Sequence, residues 1–391
     1  MNVGIAHLEY SRTGGIERAS AELADRVAGM GLEVHFHAAR WTADTHTTVA
    51  FHRVPVVPRP HSAELASFAY LASRQLRLKR YDITHSHGGV GGCDIVTAHS
   101  CHLAGMRARS KHPVAGLQRN WGVADRLLLR LEDTNFGRHR YRKIIAVAEG
   151  VRRELVQYYG VPEADIVVIP NGVDLALFSP DVRTARREDS RRRLGLMADE
   201  TVILFVSNEF ERKGLKFALD AMALAKSSMQ KLVVAGKDDP APYRRYAEHL
   251  GISRSVLFVG ASNDMPSMFA AADIFLQPTS YEAFSLALLE AAATGLPIVT
   301  TRVNGAVELN RDRATAILVD QDPGEIAKAI RLLIERPELR TQYGHQSRMA
   351  ALQFSWDMVA DKTVKVYEAV IDEKMKETGP WDAGRHTVTV A

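Results

Sequence analysis

The chain of 391 residues contains two cysteines, Cys93 and Cys101, and neither belongs to a C-x-x-C pair. That excludes a disulfide framework and a dithiol or zinc motif, and it predicts two buried, reduced thiols. No apolar run approaches the ~18 residues a membrane helix needs. The opening MNVGIAHLEY is strand-like, and Glu9, Arg12, Glu17 and Arg18 break up any apolar leader segment. The expected location is therefore the cytoplasm. Charge of one sign is lacking too. Lys and Arg number 50 against 46 Asp and Glu, a net +4 that is too small to argue for nucleic acid. There is no G-x-x-x-x-G-K-[ST], which excludes a P-loop nucleotidase, and no G-x-G-x-x-G after the first strand. The glycine-rich HGGVGG at 87–92 has neither the helix nor the acidic residue ~20 positions on that a dinucleotide site requires. His85 and His87, and HSCH at 99–102, lack the carboxylate and the spacing of a metal site. They are expected to be packed or hydrogen-bonded histidines, so no metal site is predicted.

What is present is an average globular composition, 46% apolar and 25% charged. At ~150 residues per domain the length corresponds to between two and three domains. Short β-type runs alternate with helical periodicity throughout. The first half has NVGIAHL, EVHFHAA, VAFHRVPVV, DITHSH, DIVTAHS, KIIAVAE and DIVVIP; the second has TVILFVS, KLVVAG, VLFVG, DIFLQP, PIVTT and AILVD. Near-continuously apolar strands separated by helices predict parallel sheets covered on both faces. The fold class is therefore α/β, with two Rossmann-like domains facing a cleft, spanning residues 1–180 and 181–374, and a loosely attached tail at 375–391. The boundary is expected near residues 176–199, where DVRTARREDSRRRLG is charged, shows no apolar face and follows a proline. The last helical run, roughly 338–374, is expected to begin in the second domain and pack back on the first.

Ligands of open α/β sheets bind at the carboxyl ends of the strands, and four motifs fall there. Gly14-Gly15 lies where the first helix begins, so backbone amides can approach an anion. NEFERKG at 208–214 puts Arg212 and Lys213 after the first strand of the second half; a forked guanidinium beside a compact ammonium suits a diphosphate. Glu282 is expected in a loop after the strand at 273–278. Glu290 falls inside an otherwise apolar helix, LALLEAAATG, where an unpartnered carboxylate is costly. Counted as eight helical residues, the two acids are 80° off two full turns and can face one cleft.

In their order and spacing these segments resemble the retaining glycosyltransferases of family 4, which have the GT-B fold. The resemblance runs from GGIERASAELA to about residue 370, through IIAVAE, IPNGVD, FERKG and the E-x7-E block followed by TGLPIVTT. The second half is especially similar to the lipopolysaccharide-core glucosyltransferase branch. The resemblance implies a first domain for the acceptor and a second for a nucleotide diphosphate-sugar, with no other cofactor. It implies that Gly14 and Gly15 approach the donor phosphate and that Arg212 and Lys213 hold the leaving diphosphate. Glu282 and His99, which ends DIVTAHS, would contact the sugar, and Glu290 the ribose. The amides around Ala283, Phe284, Ser285 and Leu286 would meet the diphosphate, and the turn Ala261–Met265, with Asn263, would border the nucleobase. Where the family often reads EGFG this chain has Glu282-Ala283-Phe284-Ser285; Ser285 replaces glycine but keeps its amide. A UDP-sugar is the favoured donor and GDP-mannose the second. The expected reaction is a metal-independent, front-face transfer of a hexose with retention, to a hydroxyl of a glycan, a glycolipid or a small acceptor.

Between His102 and Lys143 ten Lys and Arg stand against three acids, interleaved with Leu103, Leu117, Trp121 and an LLLRL run. A peripheral contact with anionic membrane lipid is one reading of this stretch and an ordinary solvated helix face the other. A nucleotide-sugar 2-epimerase and a non-catalytic sugar-nucleotide-binding protein are the alternatives to the transferase. The first would need acid and base groups for epimerisation, and the second predicts a broken basic or acidic pair.

Overall fold

The computed structural model describes residues 1–41, 48–111, 122–225, 229–310 and 314–378. The first lobe is built on seven parallel strands: β1 (Asn2–Ala6), β3 (Glu33–Ala38), β5 (Ala50–Arg53), β6 (Ile83–Ser86), β7 (Ile95–Ala98), β8 (Lys143–Ala146) and β9 (Ile166–Val168), in the order β5-β3-β1-β6-β7-β8-β9. Two short strands, β2 (Glu9–Tyr10) and β4 (Arg40–Trp41), pair beside them. The second lobe has six: β10 (Thr201–Val206), β11 (Gln230–Ala235), β12 (Val256–Gly260), β13 (Ile274–Gln277), β14 (Ile298–Thr301) and β15 (Ala316–Val319), in the order β12-β11-β10-β13-β14-β15. Every pairing in both sheets is parallel. The α/β reading with two sheets is therefore what the chain adopts.

In each sheet the strand order reverses at one point, between β1 and β6 and between β10 and β13. Loops leaving the two central strands diverge there and open a crevice. In the second lobe those loops carry FERKG, after β10, and the segment around Glu282, after β13. Topology, not sequence proximity, brings them together.

The stretch read as a charged boundary is a helix, Pro180–Arg193, capped by the Ser179 hydroxyl, which accepts from the Val182 amide. Its stabilising face is made of arginines. Arg183, Arg187 and Arg191 recur every four residues. They donate to the Ala270, Ala271 and Ala272 carbonyls at the end of the helix Met265–Ala271, and Arg187 and Arg191 also clamp Asp273 at 2.5 and 2.6 Å. A helix held by hydrogen bonds instead of apolar burial leaves no hydrophobic stripe to detect. The run at 338–374 is two helices, Pro337–Ala351 and Trp356–Thr378. Between them the chain crosses lobes, with the Val173 amide donating to the Phe354 carbonyl at 2.7 Å. In the final helix Ala360, Val366, Tyr367 and Val370 join the first lobe's core of Val3, Ile5, Phe36 and Ile95. Another apolar cluster runs from Val96 and Ile144 in one lobe to Phe275 and Leu289 in the other. The tail beyond 378 lies outside the described residues.

Candidate active site

Arg212 and Lys213 stand between β10 and the helix Leu215–Ala225. Gly214 makes their placement possible. Its φ is +80°, and a Cβ there would lie 2.0 Å from the Pro278 carbonyl oxygen, so the basic pair's turn presses directly on the loop after β13. Thr279 and Ser280 tie that loop to the Arg212 carbonyl at 3.2 and 3.3 Å. The result is a short path from the cations to the acid. Lys213 Nζ donates to Glu282 Oε2, Arg212 Nη1 lies 3.6 Å from the same oxygen, and Arg212 also donates to the Tyr281 carbonyl at 3.0 Å. Lys213 is 8% exposed. Burial alone would raise the Glu282 carboxyl, but Lys213 and Arg212 outweigh it and hold the group below its usual range. Three of the residues singled out in the sequence therefore form one largely buried ionic group, with Glu209 also accepting from Arg212 at 2.7 Å.

Just beyond, Ser285 caps the helix Leu286–Ala293, its Oγ accepting from the Leu288 amide. With Leu288 capped, the Leu286 and Ala287 amides remain without an intrahelical partner at the helix's positive dipole end. Ala283 and Phe284 are buried, and Leu286 is half-buried at the first helical position. Because the helix starts only at Leu286, the eight-residue helical count between Glu282 and Glu290 does not apply. The loop sets Glu282, and the helix sets Glu290.

Glu290 is 3% exposed and has a partner that sequence reasoning missed. Arg18, from the first lobe's opening helix Ile16–Gly29, forms an ion pair with its Oε1. The premise that this carboxylate lies unpartnered is corrected, and the four expected site residues divide into two groups: Arg212, Lys213 and Glu282 together, and Glu290 with Arg18. The signal was in the sequence, as the basic residue one turn into GGIER. Tyr281 was missed as well. Its hydroxyl crosses to the first lobe, accepting from the Cys101 amide at 3.1 Å and meeting Glu154 Oε2 at 2.8 Å, while Asn304 donates to Glu154 Oε1 at 2.9 Å. Asn171 adds a donor to the Phe284 carbonyl at 2.8 Å.

Gly15 caps the first helix and Gly14 has φ +99°. The Gly15 amide, assigned from sequence to a phosphate, donates here to Glu17 Oε2 at 3.2 Å. His99 follows β7 half-buried; its Nε2 meets His87 Nδ1 at 2.9 Å, and burial pushes it down to about 3. His85 bonds Tyr367 and Thr97, each at 2.7 Å, which fits the packed-histidine reading. Asn263 is exposed in the turn before the helix Met265–Ala271. Both cysteines are buried and free, and burial pushes each thiol up to about 12. Of the basic stretch, Arg142 pairs with Glu377 at 2.8 Å and Lys143 lies 3.7 Å from Glu373, so the final helix takes two of its charges. Leu117, Arg119 and Trp121 fall outside the described residues. Among the described residues no helix is long and apolar enough to cross a membrane.

Known proteins are similar to this chain in sequence and fold. The family described as Glycosyl transferases group 1 matches residues 186–349, and Glycosyltransferase Family 4 matches residues 13–177. A D-inositol 3-phosphate glycosyltransferase of Salinispora arenicola is 31% identical over 74% of this chain and 69% of its own length. The chain belongs to the glycosyltransferases of this family. The lipopolysaccharide glucosyltransferase WaaG of Escherichia coli is 25% identical over 89% of this chain and 93% of its own. The crystal structure of WaaG superposes with a TM-score of 0.81 at 22% identity, covering 93% of this chain and 99% of that one, which shows the same GT-B fold. Anabaena Alr3699/HepE in complex with UDP-glucose has a TM-score of 0.73 at 18% identity over 94% of this chain and all of that one. The chain spans 60%, 67% and 93% of the length of three curated relatives.

Proposed function

We propose that this glycosyltransferase moves a hexose with retention from a nucleotide diphosphate-sugar, in first place a UDP-sugar, to an acceptor hydroxyl. The observation that carries the reading is the buried group of Arg212, Lys213 and Glu282 beside a helix N-terminus. The UDP choice draws support from the likeness to HepE, whose complex holds UDP-glucose.

In this reaction the bond from C1 to the diphosphate oxygen breaks towards an oxocarbenium-like state. Negative charge gathers on the departing diphosphate. Lys213, Arg212 and the first-turn amides after Ser285 stabilise it from fixed positions, with no reorganisation at the moment of reaction. Thr279 and Ser280 bond the Arg212 carbonyl and Gly214 presses on Pro278, so the backbone that carries the two cations is fixed. Glu282 orients Lys213 and accepts from sugar hydroxyls, and His99 meets the sugar from the first lobe. The acceptor oxygen attacks C1 on the face the diphosphate leaves, and its proton passes to a departing phosphate oxygen. Two protein cations supply the charge neutralisation, so the reaction proceeds without a divalent ion. Closing the lobes excludes water that would otherwise hydrolyse the donor.

The acceptor is a glycan, a glycolipid or a small metabolite bound by the first lobe. The enzyme works in the cytoplasm, and the exposed basic side chains Arg107, Arg126, Arg130 and Arg140 give it a peripheral hold on anionic lipid. Incubation with UDP-, GDP- and ADP-sugars with and without acceptors, followed by proton NMR of the product's anomeric configuration, tests the reaction. Inverted product, or no diphosphate released from any donor, overturns it. Activity lost reversibly on chelation would remove the metal-free step. Sedimentation with anionic vesicles at low and high salt tests the lipid contact.

A further inference from the structure

The ion pair between Arg18 and Glu290 joins the two lobes. Arg18 follows the Gly14-Gly15 turn by one helical turn, and Glu290 lies one and a half turns into the helix that Ser285 caps. Both side chains are largely withdrawn from water, 16% and 4% exposed. The Arg18 guanidinium also sits over the Phe178 ring, 5.8 Å from its centroid, on the segment that links the lobes. A carboxylate so placed loses its ionised form unless a cation balances it.

We infer that Arg18 is a positioning residue for nucleotide recognition: by pairing with Glu290 across the lobes it fixes that carboxylate in place, so that two ribose hydroxyls can donate to it. The inference rests on the proposed transferase reading and deepens it, since ribose selection then depends on a residue of the first lobe. Two hydroxyls donating to one carboxylate require acceptor oxygens, which a protonated carboxyl supplies only in part. The ion pair with Arg18 leaves Oε1 without a hydrogen-bond partner among the described residues, and lone pairs remain on both oxygens, so Arg18 and the ribose are compatible. The groups that bear on Glu290 are few. Burial holds its carboxyl above the usual range, Arg18 offsets part of that, and Glu22 of the same first helix adds to the rise. Glu22 is itself engaged by Arg12 and Arg26 at 2.9 and 2.8 Å, so Arg18 is the cation committed to Glu290. Because the pair bridges the lobes, recognition of the ribose is tied to their being docked.

The test measures dissociation constants of UDP, GDP and ADP, and of their 2′,3′-dideoxy counterparts, by calorimetry between pH 5.5 and 8. The wild type is expected to prefer one nucleotide over its dideoxy form by about tenfold, the scale of charge-assisted hydrogen bonds. In Arg18→Gln that preference should collapse to about twofold or less, and affinity for the ribose form should fall away at a higher pH than in the wild type. Arg18→Lys should recover part of the preference, since it keeps the charge without the fork. Thermal melts establish that each variant is folded, and Arg18→Lys carries the pH comparison where Arg18→Gln does not fold. A wild type that discriminates together with an Arg18→Gln variant that discriminates equally, or an Arg18→Lys variant with an unchanged pH profile and unchanged preference, overturns the inference and leaves the transferase reading standing. A wild type that binds no nucleoside diphosphate overturns both.

Discussion

Lys213 and Glu282, 69 positions apart in sequence, form an ion pair with each other inside the second lobe, on the loops of the two strands that flank its switch point. Each is the other's main source of charge balance. Replacing Lys213 by alanine therefore has two effects. It removes a fixed cation from the departing diphosphate, for which a loss of about 10²–10³ in turnover is expected. It also leaves Glu282 with Arg212 alone, 3.6 Å away, so a stability loss below the about 3–5 kcal/mol of a fully buried, unpartnered charge is expected. Steady-state kinetics and thermal melts of Lys213→Ala check both. Wild-type turnover with the accepted donor would remove Lys213 from the chemistry.

Ser285 departs from the glycine common in the family, and its structural role explains how the site tolerates it. The hydroxyl accepts from Leu288 at 3.3 Å and from Gln277 Nε2 at 3.1 Å, so it caps the helix whose amides are proposed to serve the diphosphate. Ser285→Gly should retain donor affinity within about twofold, because the amide stays and a glycine cap costs only a few tenths of a kcal/mol. Ser285→Ala should lower stability by about 1 kcal/mol. Chemical denaturation and donor titration separate the two substitutions. A large affinity loss in Ser285→Gly would mean that the hydroxyl itself contacts the donor.

How much of this was legible in sequence follows from what carried each feature. The strands were legible because apolar runs such as TVILFV and KLVVA are buried on both faces and need no partner to be recognised. The Arg212–Lys213 and Glu282 elements were legible because βα loops at the carboxyl edge are where ligands meet a parallel sheet. The helix Pro180–Arg193 was not, because its stability comes from Arg183, Arg187 and Arg191 bonding to the carbonyls of a helix some 80 residues away. Arg18 and Tyr281 escaped for the same reason. Their partners, Glu290, Cys101 and Glu154, lie on the opposite lobe, and no periodicity within one segment encodes an interlobe contact.

Gly214 and Gly251 both have positive φ, +80° and +70°, but only Gly214 is pressed against another segment. An alanine at Gly251 meets nothing within 4 Å and should cost only the backbone strain, about 1–2 kcal/mol. An alanine at Gly214 adds a clash with the Pro278 carbonyl, which is backbone and cannot rotate away. Gly214→Ala should therefore destabilise more than Gly251→Ala and also reduce turnover, because the loop carrying Glu282 must shift. Parallel melts and kinetics of the two variants test this. Equal stability losses with full activity in both would show that the contact between FERKG and the β13 loop does not set the site.

Acid sensitivity should track His85. The ring is fully buried, bonded to Tyr367 and Thr97, and burial pushes it down to about 3 from an ordinary value of 6.5. A base whose folded value is depressed contributes stability that is complete above the unfolded value and is lost as pH falls, because only the unfolded chain then takes up the proton. For His85 that window runs from 6.5 down to about 3. Within it one such group costs about 1.4 kcal/mol per pH unit. His37, pushed down to about 4 by burial, adds to the slope over the upper part of the same window. His85→Gln removes the titration while leaving an amide that can still bond Tyr367 or Thr97. Its melting temperature should be lower than the wild type's at pH 7.5 but should fall less steeply between pH 6.5 and 5. Equal slopes would mean that acid instability arises elsewhere, with the buried imidazole protonated already in the native state.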